Sequence, residues 1–368
     1  MGGNCSRRNF VGLASGLGTL LAALRQERAA AQAPERKITI GIAGCAHIHT
    51  PAFVRLLKDR KDVAVKWVWD HQAERAKKHA DTLGAGLASS ADQIWSDADV
   101  RGVVICSETD RHRELVLAAV KAAKHVFVEK PLGMTAAESR EMAAAIEGAK
   151  VLFTTGYFMR TQPELLFLKE QIKAGVFGTV TRADAWNCHA GAIRGLFNTE
   201  WRWMADPKVA GAGGFGDLGT HSLDILMWLL GGIDSVAANI RPVINKYPDC
   251  DETGQALIKF KSGATGTLTA GWVDVANPVT LMIAGTGAHA TIVNGQLLFK
   301  CDKVKGADGK TPWGQLPEKP ALPMHQFIDA VAGSKDQPLV TPSEAAARVA
   351  VMETMYRAAR ERAWLNVA

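Results

Sequence analysis

KITIGIAGCAHIHTPAFVRLLKDR, residues 37–60, is the stretch on which the reading of the fold turns. Residues 37–43 alternate and then run apolar, which predicts a strand. A turn follows over 44–49, and an amphipathic helix is expected over 51–60. Strand, tight turn and helix in that order are where a dinucleotide-binding fingerprint belongs, its glycines letting the backbone approach a pyrophosphate. Here G-x-G-x-x-G reads Gly44-x-Ala46-x-x-His49, keeping only the first glycine. Alanine still allows a fairly close approach, but histidine is bulky where helix and strand should pack, so the turn is expected to differ locally. Gly44, Ala46, His47 and Ile48 are the candidate cofactor contacts of this turn.

Outward from it, the same unit repeats. A second strand over 63–69 ends in Asp70, an acid placed for the adenosine ribose hydroxyls, which favours NAD over NADP. Arg75, on the helix that follows, is within reach of a phosphate and keeps NADP open. Further strands over 100–106 and 125–128 flank a helix over 111–123, and place Ser107, Glu129 and Lys130 at strand ends, where ligands bind in parallel α/β sheets. Cys45, His47 and His49 suggest metal ligands, yet the turn faces a pyrophosphate site and no fourth ligand is apparent, so no metal is expected.

After helices over 136–149 and 162–174 the texture changes. Strand-like runs over 179–186, 235–244, 255–260, 266–273, 279–284 and 288–293, joined by short turns, indicate an antiparallel sheet. Between them lies GAGGFGDLGTHSLDILMWLLGG, residues 211–232. Its glycines at 211, 213 and 214 read as a flexible start. Asp217, His221 and Asp224 then recur at i, i+4 and i+7, one polar side of an otherwise apolar helix. A carboxylate one turn before an imidazole orients it and raises its basicity; a helix cap and a core histidine account for the same pair. The domains expected are a dinucleotide-binding unit over 36–155, an α+β unit over 156–345 with an open, mainly antiparallel sheet, and a C-terminal helix and tail over 346–368.

Composition is that of a soluble globular protein, 47% hydrophobic and 22% charged. Four arginines and one glutamate in residues 1–33 supply +3 of the net +6, too little elsewhere to argue for nucleic acid. Residues 1–33 read as a twin-arginine signal peptide: Ser6-Arg7-Arg8-Asn9-Phe10-Val11, an apolar run over 11–24, and Ala31-Gln32-Ala33 for cleavage. Export to the periplasm, without membrane insertion after cleavage, is the expectation. The six cysteines have no framework spacing and are read as thiols.

The chain resembles the Gfo/Idh/MocA family, named after glucose–fructose oxidoreductase and inositol dehydrogenase. The resemblance rests on the strand and turn over 38–49, Glu129-Lys130-Pro131, Gly156-Tyr157 with Arg160, the 211–224 motif and the turn over 285–287. It implies a Rossmann domain binding NAD, and a sugar or polyol as substrate. It further implies that Lys130 holds the reacting hydroxyl and relays its proton, that Asp217 binds substrate hydroxyls and orients the imidazole, and that His221 is the general base in oxidation. Arg160 belongs to the matching motif, and Trp201 and Arg202, within Trp201-Arg202-Trp203, suit a sugar's C–H faces and hydroxyls. Only a few residues separate the cleavage site from the first strand, so no long N-terminal arm is expected. A periplasmic dehydrogenase has no free nicotinamide pool, so a retained cofactor is expected. That suits an oxidoreductase acting on CH–OH groups, or a glycosidase or lyase working through a transient ketone with Tyr157 or His189 as an extra base. A sugar-sensing protein on the same fold is the non-catalytic alternative. A homo-oligomer through the second sheet is also expected.

Overall fold

The computed structural model describes residues 37–367; the signal peptide read over 1–33 lies outside them. Strand β1 (Ile38–Cys45) is followed by α1 (Thr50–Asp59), β2 (Val63–Trp69), α2 (Ala73–Leu83), β3 (Gly86–Leu87), β4 (Gly102–Cys106), α3 (His112–Lys121), β5 (His125–Val128), α4 (Ala136–Ala149) and β6 (Phe153–Thr155). The six strands form one parallel sheet in the order β3-β2-β1-β4-β5-β6. It is buried on both faces, which is why β4 is apolar throughout (GVVIC) rather than alternating. Val103 and Ile105 pack towards α3 and α4, while Val104, Ile40 and Ile42 pack towards α1 and α2.

The second sheet has nine strands. They are β7 (Val180–Cys188), β8 (Ile233–Arg241), β9 (Thr253–Phe260), β10 (Thr265–Gly271), β11 (Val279–Gly285), β12 (His289–Val293), β13 (Gln296–Lys300), β14 (Asp308–Pro312) and β15 (Leu365–Asn366). Their order is β14-β13-β12-β11-β7-β10-β9-β8-β15, antiparallel except where β7 and β10 run together. Burial alternates strictly along β9, so one face of the sheet is covered and the other open. Helix α5 (Gly214–Leu230) lies on the covered face through Leu223, Leu226 and Leu229. The open face is mixed, carrying Arg182, Gln255 and Lys259 beside an exposed Leu257 and, by register, Met282 and Leu298.

The boundary at 345 needs correction. Helix α6 (Pro323–Ala332), within the stretch assigned to the second domain, buries Met324, Phe327, Ile328 and Val331 against the first sheet. Helix α7 (Pro342–Glu361) serves both domains. Its Ala345, Ala346 and Val349 enter the first core, and its Val351, Met352, Met355 and Ala358 enter the second. The five cysteines among the described residues are free thiols, four buried and Cys188 half-buried.

Candidate active site

The turn after β1 keeps glycine where geometry demands it. Gly44 stands at φ +87°, and a Cβ there would lie 2.5 Å from the Ser107 Cβ. Ser107 is buried beneath the turn with its hydroxyl on the Glu108 carbonyl, so it shapes the turn rather than facing the cleft, and Thr109 lines the cavity instead. The bulk of His49 is accommodated because its ring leaves the helix–strand contact. Its Nδ1 lies 3.0 Å from the buried Glu129 carboxylate.

At the end of β2, Asp70 accepts from the Cys45 and Gln72 backbone N–H groups (2.6 and 2.7 Å) and from Arg75 (2.8 Å). Arg75 also donates to Glu108 (2.9 Å). Both bonds use Nη2, and Nε is buried without a hydrogen-bond partner, so Arg75 bridges Asp70 and Glu108 at the end of β2. Glu108 had no signal in the sequence beyond its place after a strand. The site fits a nicotinamide dinucleotide: a left-handed glycine, a helix α1 whose first turn has no side-chain cap, and acids where a ribose lies.

Two domains meet at Lys130. The turn after β5 is pinned by buried His112, whose Nδ1 donates to the Pro131 carbonyl (3.0 Å). Lys130, almost fully buried, donates to Asp217 at the start of α5 (2.8 Å). The Trp272 indole N–H holds the other Asp217 oxygen at 3.0 Å. Burial opposes the Asp217 charge, but Lys130 outweighs it and keeps the carboxyl ionised below its usual range. His221 follows one turn later, yet Asp217 does not hydrogen-bond to it: Lys130 and Trp272 occupy both oxygens, and His221 Nδ1 has no partner. Its ring is set by packing instead, 5.1 Å from Phe158 and 6.2 Å from Tyr157. Burial and the Lys130 charge push its pKa well below 6.5, so it is a neutral base at physiological pH.

The start of α5 is fixed, not flexible. A Cβ on Gly213 or Gly214 would collide with the Asp251–Glu252 backbone, and the Asp251 carboxylate accepts from Gly213 and Phe215 N–H (3.1 and 2.8 Å). Asp224 and Arg160 are not in the cleft. Arg160 donates twice to Asp224 (2.9 and 2.7 Å) and once to Glu344, and Arg348 reaches Asp224 as well (2.9 Å). The substrate role given to Arg160 is therefore corrected to a buried tie between α5 and α7.

Of the Trp-Arg-Trp cluster, Trp203 reaches the site. Its indole N–H donates to the Ala46 carbonyl (3.1 Å), and it lines a cavity of about 910 Å³ with His47, Lys130 and Asp217. Trp201 packs into an apolar cluster with Phe197, and Arg202 stacks on Tyr247 at 4.9 Å, so neither lines that cavity.

Residues 38–157 match an oxidoreductase family with an NAD-binding Rossmann fold, and residues 165–291 match the GFO/IDH/MocA C-terminal domain. Myo-inositol 2-dehydrogenase of Thermotoga maritima is 30% identical over 240 residues, covering 62% of this chain and 67% of that protein. Levoglucosan dehydrogenase of Pseudarthrobacter phenanthrenivorans is 26% identical over 207 residues, 48% of this chain and 50% of that one, so the chain spans about half its length. A solved levoglucosan dehydrogenase with NADH and levoglucosan superposes with a TM-score of 0.74 at 21% identity, over 90% of this chain and 99% of that chain.

Proposed function

The chain belongs to the Gfo/Idh/MocA family of NAD-dependent oxidoreductases, and from that premise we propose that it oxidises a secondary CH–OH group of a sugar or polyol. The observation that carries this reading is the Lys130–Asp217 pair, drawn from two domains into one cavity with a neutral His221 one turn on. The nicotinamide, when bound, accepts the hydride. Gly44, the turn over 45–48 and Asp70 would hold it. Lys130 steadies the oxygen that becomes a carbonyl, Asp217 keeps the ammonium placed and offers substrate hydroxyls an acceptor, and His221 takes the hydroxyl proton. Named relatives act on an anhydrosugar and an inositol, which sets the substrates to try. Purified protein, concentrated enough for its own bound nicotinamide to be seen and with NAD added, should show reduction to NADH on mixing with levoglucosan, myo-inositol or methyl glucosides, in at least a single turnover. A full panel without reduction would remove the alcohol-oxidation reading.

We also propose that the protein acts in the periplasm after twin-arginine export, with its cofactor retained. What favours retention is the segment 189–211, which closes over the dinucleotide turn. Trp203 bonds to Ala46, Ile48 packs beside Trp201 and Trp203, and Glu200 lies 3.5 Å from Lys78 on α2. Denaturing the purified protein and weighing the released nucleotide tests this. A stoichiometric NAD supports retention, and none sinks it.

A further inference from the structure

The cavity that holds Lys130 and Asp217 does not end at that pair. Helix α7 lines it from Val349 to Arg360, about 16 Å at 1.5 Å per residue, a longer reach than one pyranose ring needs. Between those ends, the Tyr356 hydroxyl accepts from the Gly216 N–H (3.0 Å) and donates to Asp251 (2.9 Å), which ties α7 to the residue next to Asp217. Arg360 stands one turn beyond Tyr356, and Arg362 caps the helix end. Arg241, the last residue of β8, joins the same wall: its carbonyl accepts from the Glu252 N–H beside Asp251 (3.2 Å). All three arginines line the cavity.

The loop that completes this outer part has a fixed shape. The connection from β8 to β9, residues 242–252, is longer than the two to five residues a hairpin needs. Glu252, with no exposed surface, gathers it. Its carboxylate accepts from the backbone N–H groups of Val243, Ile244, Asn245 and Lys246 (2.7, 2.7, 3.2 and 2.6 Å). Four donors on one buried carboxylate satisfy the turn's backbone and hold it in one conformation. The loop thereby sets Asn245, exposed and left-handed at φ +52°, on the cavity together with Tyr247 and Asp249. The Glu252 main chain serves the inner part as well. Its carbonyl accepts from the N–H of Trp272 (2.8 Å), whose indole holds Asp217.

Among the described residues, the side chains of Arg241, Asn245, Arg360 and Arg362 have no hydrogen-bonding or ionic partner. The neighbouring acids do not claim them. Asp251 accepts from Gly213 and Phe215 N–H and from Tyr356, and Glu353 accepts from the Ala136 N–H (2.6 Å). A fixed rim of free donors, with Asp249 beside it as an acceptor, suits the hydroxyls and ring oxygens of a sugar. We propose that this outer part is a second saccharide subsite, and that the substrate is a glycoside of at least two sugar units. One unit lies at Lys130 and Asp217, and its neighbour is held by Arg241, Arg360, Arg362 and Asn245. The inference rests on the alcohol oxidation above and names the substrate class of that site.

The test is calorimetric titration of the NAD-loaded protein with methyl β-cellobioside, methyl β-maltoside and methyl β-lactoside, against methyl β-glucoside and methyl β-galactoside. At least one disaccharide should bind tighter than both monosaccharides by at least about tenfold, which one hydrogen bond from a charged donor supplies. Replacing Arg241→Ser and Arg360→Ser together, both exposed side chains, should cut that advantage to within about threefold. Should the double variant not fold, Asn245→Ala reads the same loss of advantage. Disaccharides that bind no tighter than the monosaccharides, or not at all, overturn the proposal, as does an advantage that survives the substitutions. Reduction of NAD by methyl glucosides without a disaccharide advantage sinks the second subsite alone. A disaccharide advantage without reduction by any probe sinks the alcohol oxidation alone.

Discussion

Lys130→Met removes the ammonium that, among the described residues, both pairs with Asp217 and faces the cavity. Turnover should fall by about 10²-fold or more while NAD stays bound, measured as steady-state rate against cofactor titration; a variant within a few-fold of wild type would exclude Lys130 from the proton path. Because burial and Lys130 hold His221 well below 6.5, the acid limb of the oxidation rate should lie well under that value. A limb centred near 6.5 would point to another base. Glu108→Ala frees Arg75 from one of its two carboxylates, and should shift the NAD/NADP preference towards NADP; an unchanged ratio of kcat/KM values leaves the preference to Asp70 alone. That Lys130 and Asp217 come together was legible from spacing joined to a family pattern, whereas the expected bond from Asp217 to His221 is not made. Trp272, Glu108, His112 and the orientation of His49 were not legible. Each acts through a partner 19 to 80 residues away, and nothing local marks such a pairing.

Helix α5 shows what local pattern does and does not convey. Its length and apolar faces follow from the 3.6-residue period, yet Gly213 and Gly214 at its start are there for contact with the Asp251–Glu252 backbone, not for freedom. Asp251 supplies the cap from 36 residues downstream. Asp251→Ala should therefore cost about 1–2 kcal/mol in urea unfolding, and a loss within error would show the cap to be dispensable. Asp224 is more deeply committed. Asp224→Ala leaves Arg160 and Arg348 with only the half-buried Glu344 between them, a buried break worth about 3–5 kcal/mol in urea unfolding. Helix α6 was readable in principle, with Pro323 at its start, apolar residues at 324, 327, 328 and 331, and Gly333 after it. Ten residues give little period to detect, and no sequence cue says which sheet it joins.

At the scale of the molecule, acid should destabilise the fold earlier than carboxylate protonation alone would. His47, His112 and His221 are buried with pKa values lowered by burial, that of His47 to about 3. Between those values and about 6.5 the unfolded chain binds more protons than the folded one, so stability drops as pH falls below about 6.5, by up to ~1.4 kcal/mol per unit for each group. A melting temperature flat from pH 7.5 to 5.5 would contradict this. The two-sheet architecture was legible because parallel and antiparallel strands leave different apolar rhythms. The sharing of α7 was not, since both halves of that helix read as one amphipathic run. That sharing bears on recombination. A chimaera grafting this nucleotide-binding half onto a relative's sheet must cut or import a helix shaped to two cores at once. Exchanges that leave α7 with its native pair should yield folded protein, and those that split it should not, so this lineage is expected to diversify by changing loops rather than by trading halves.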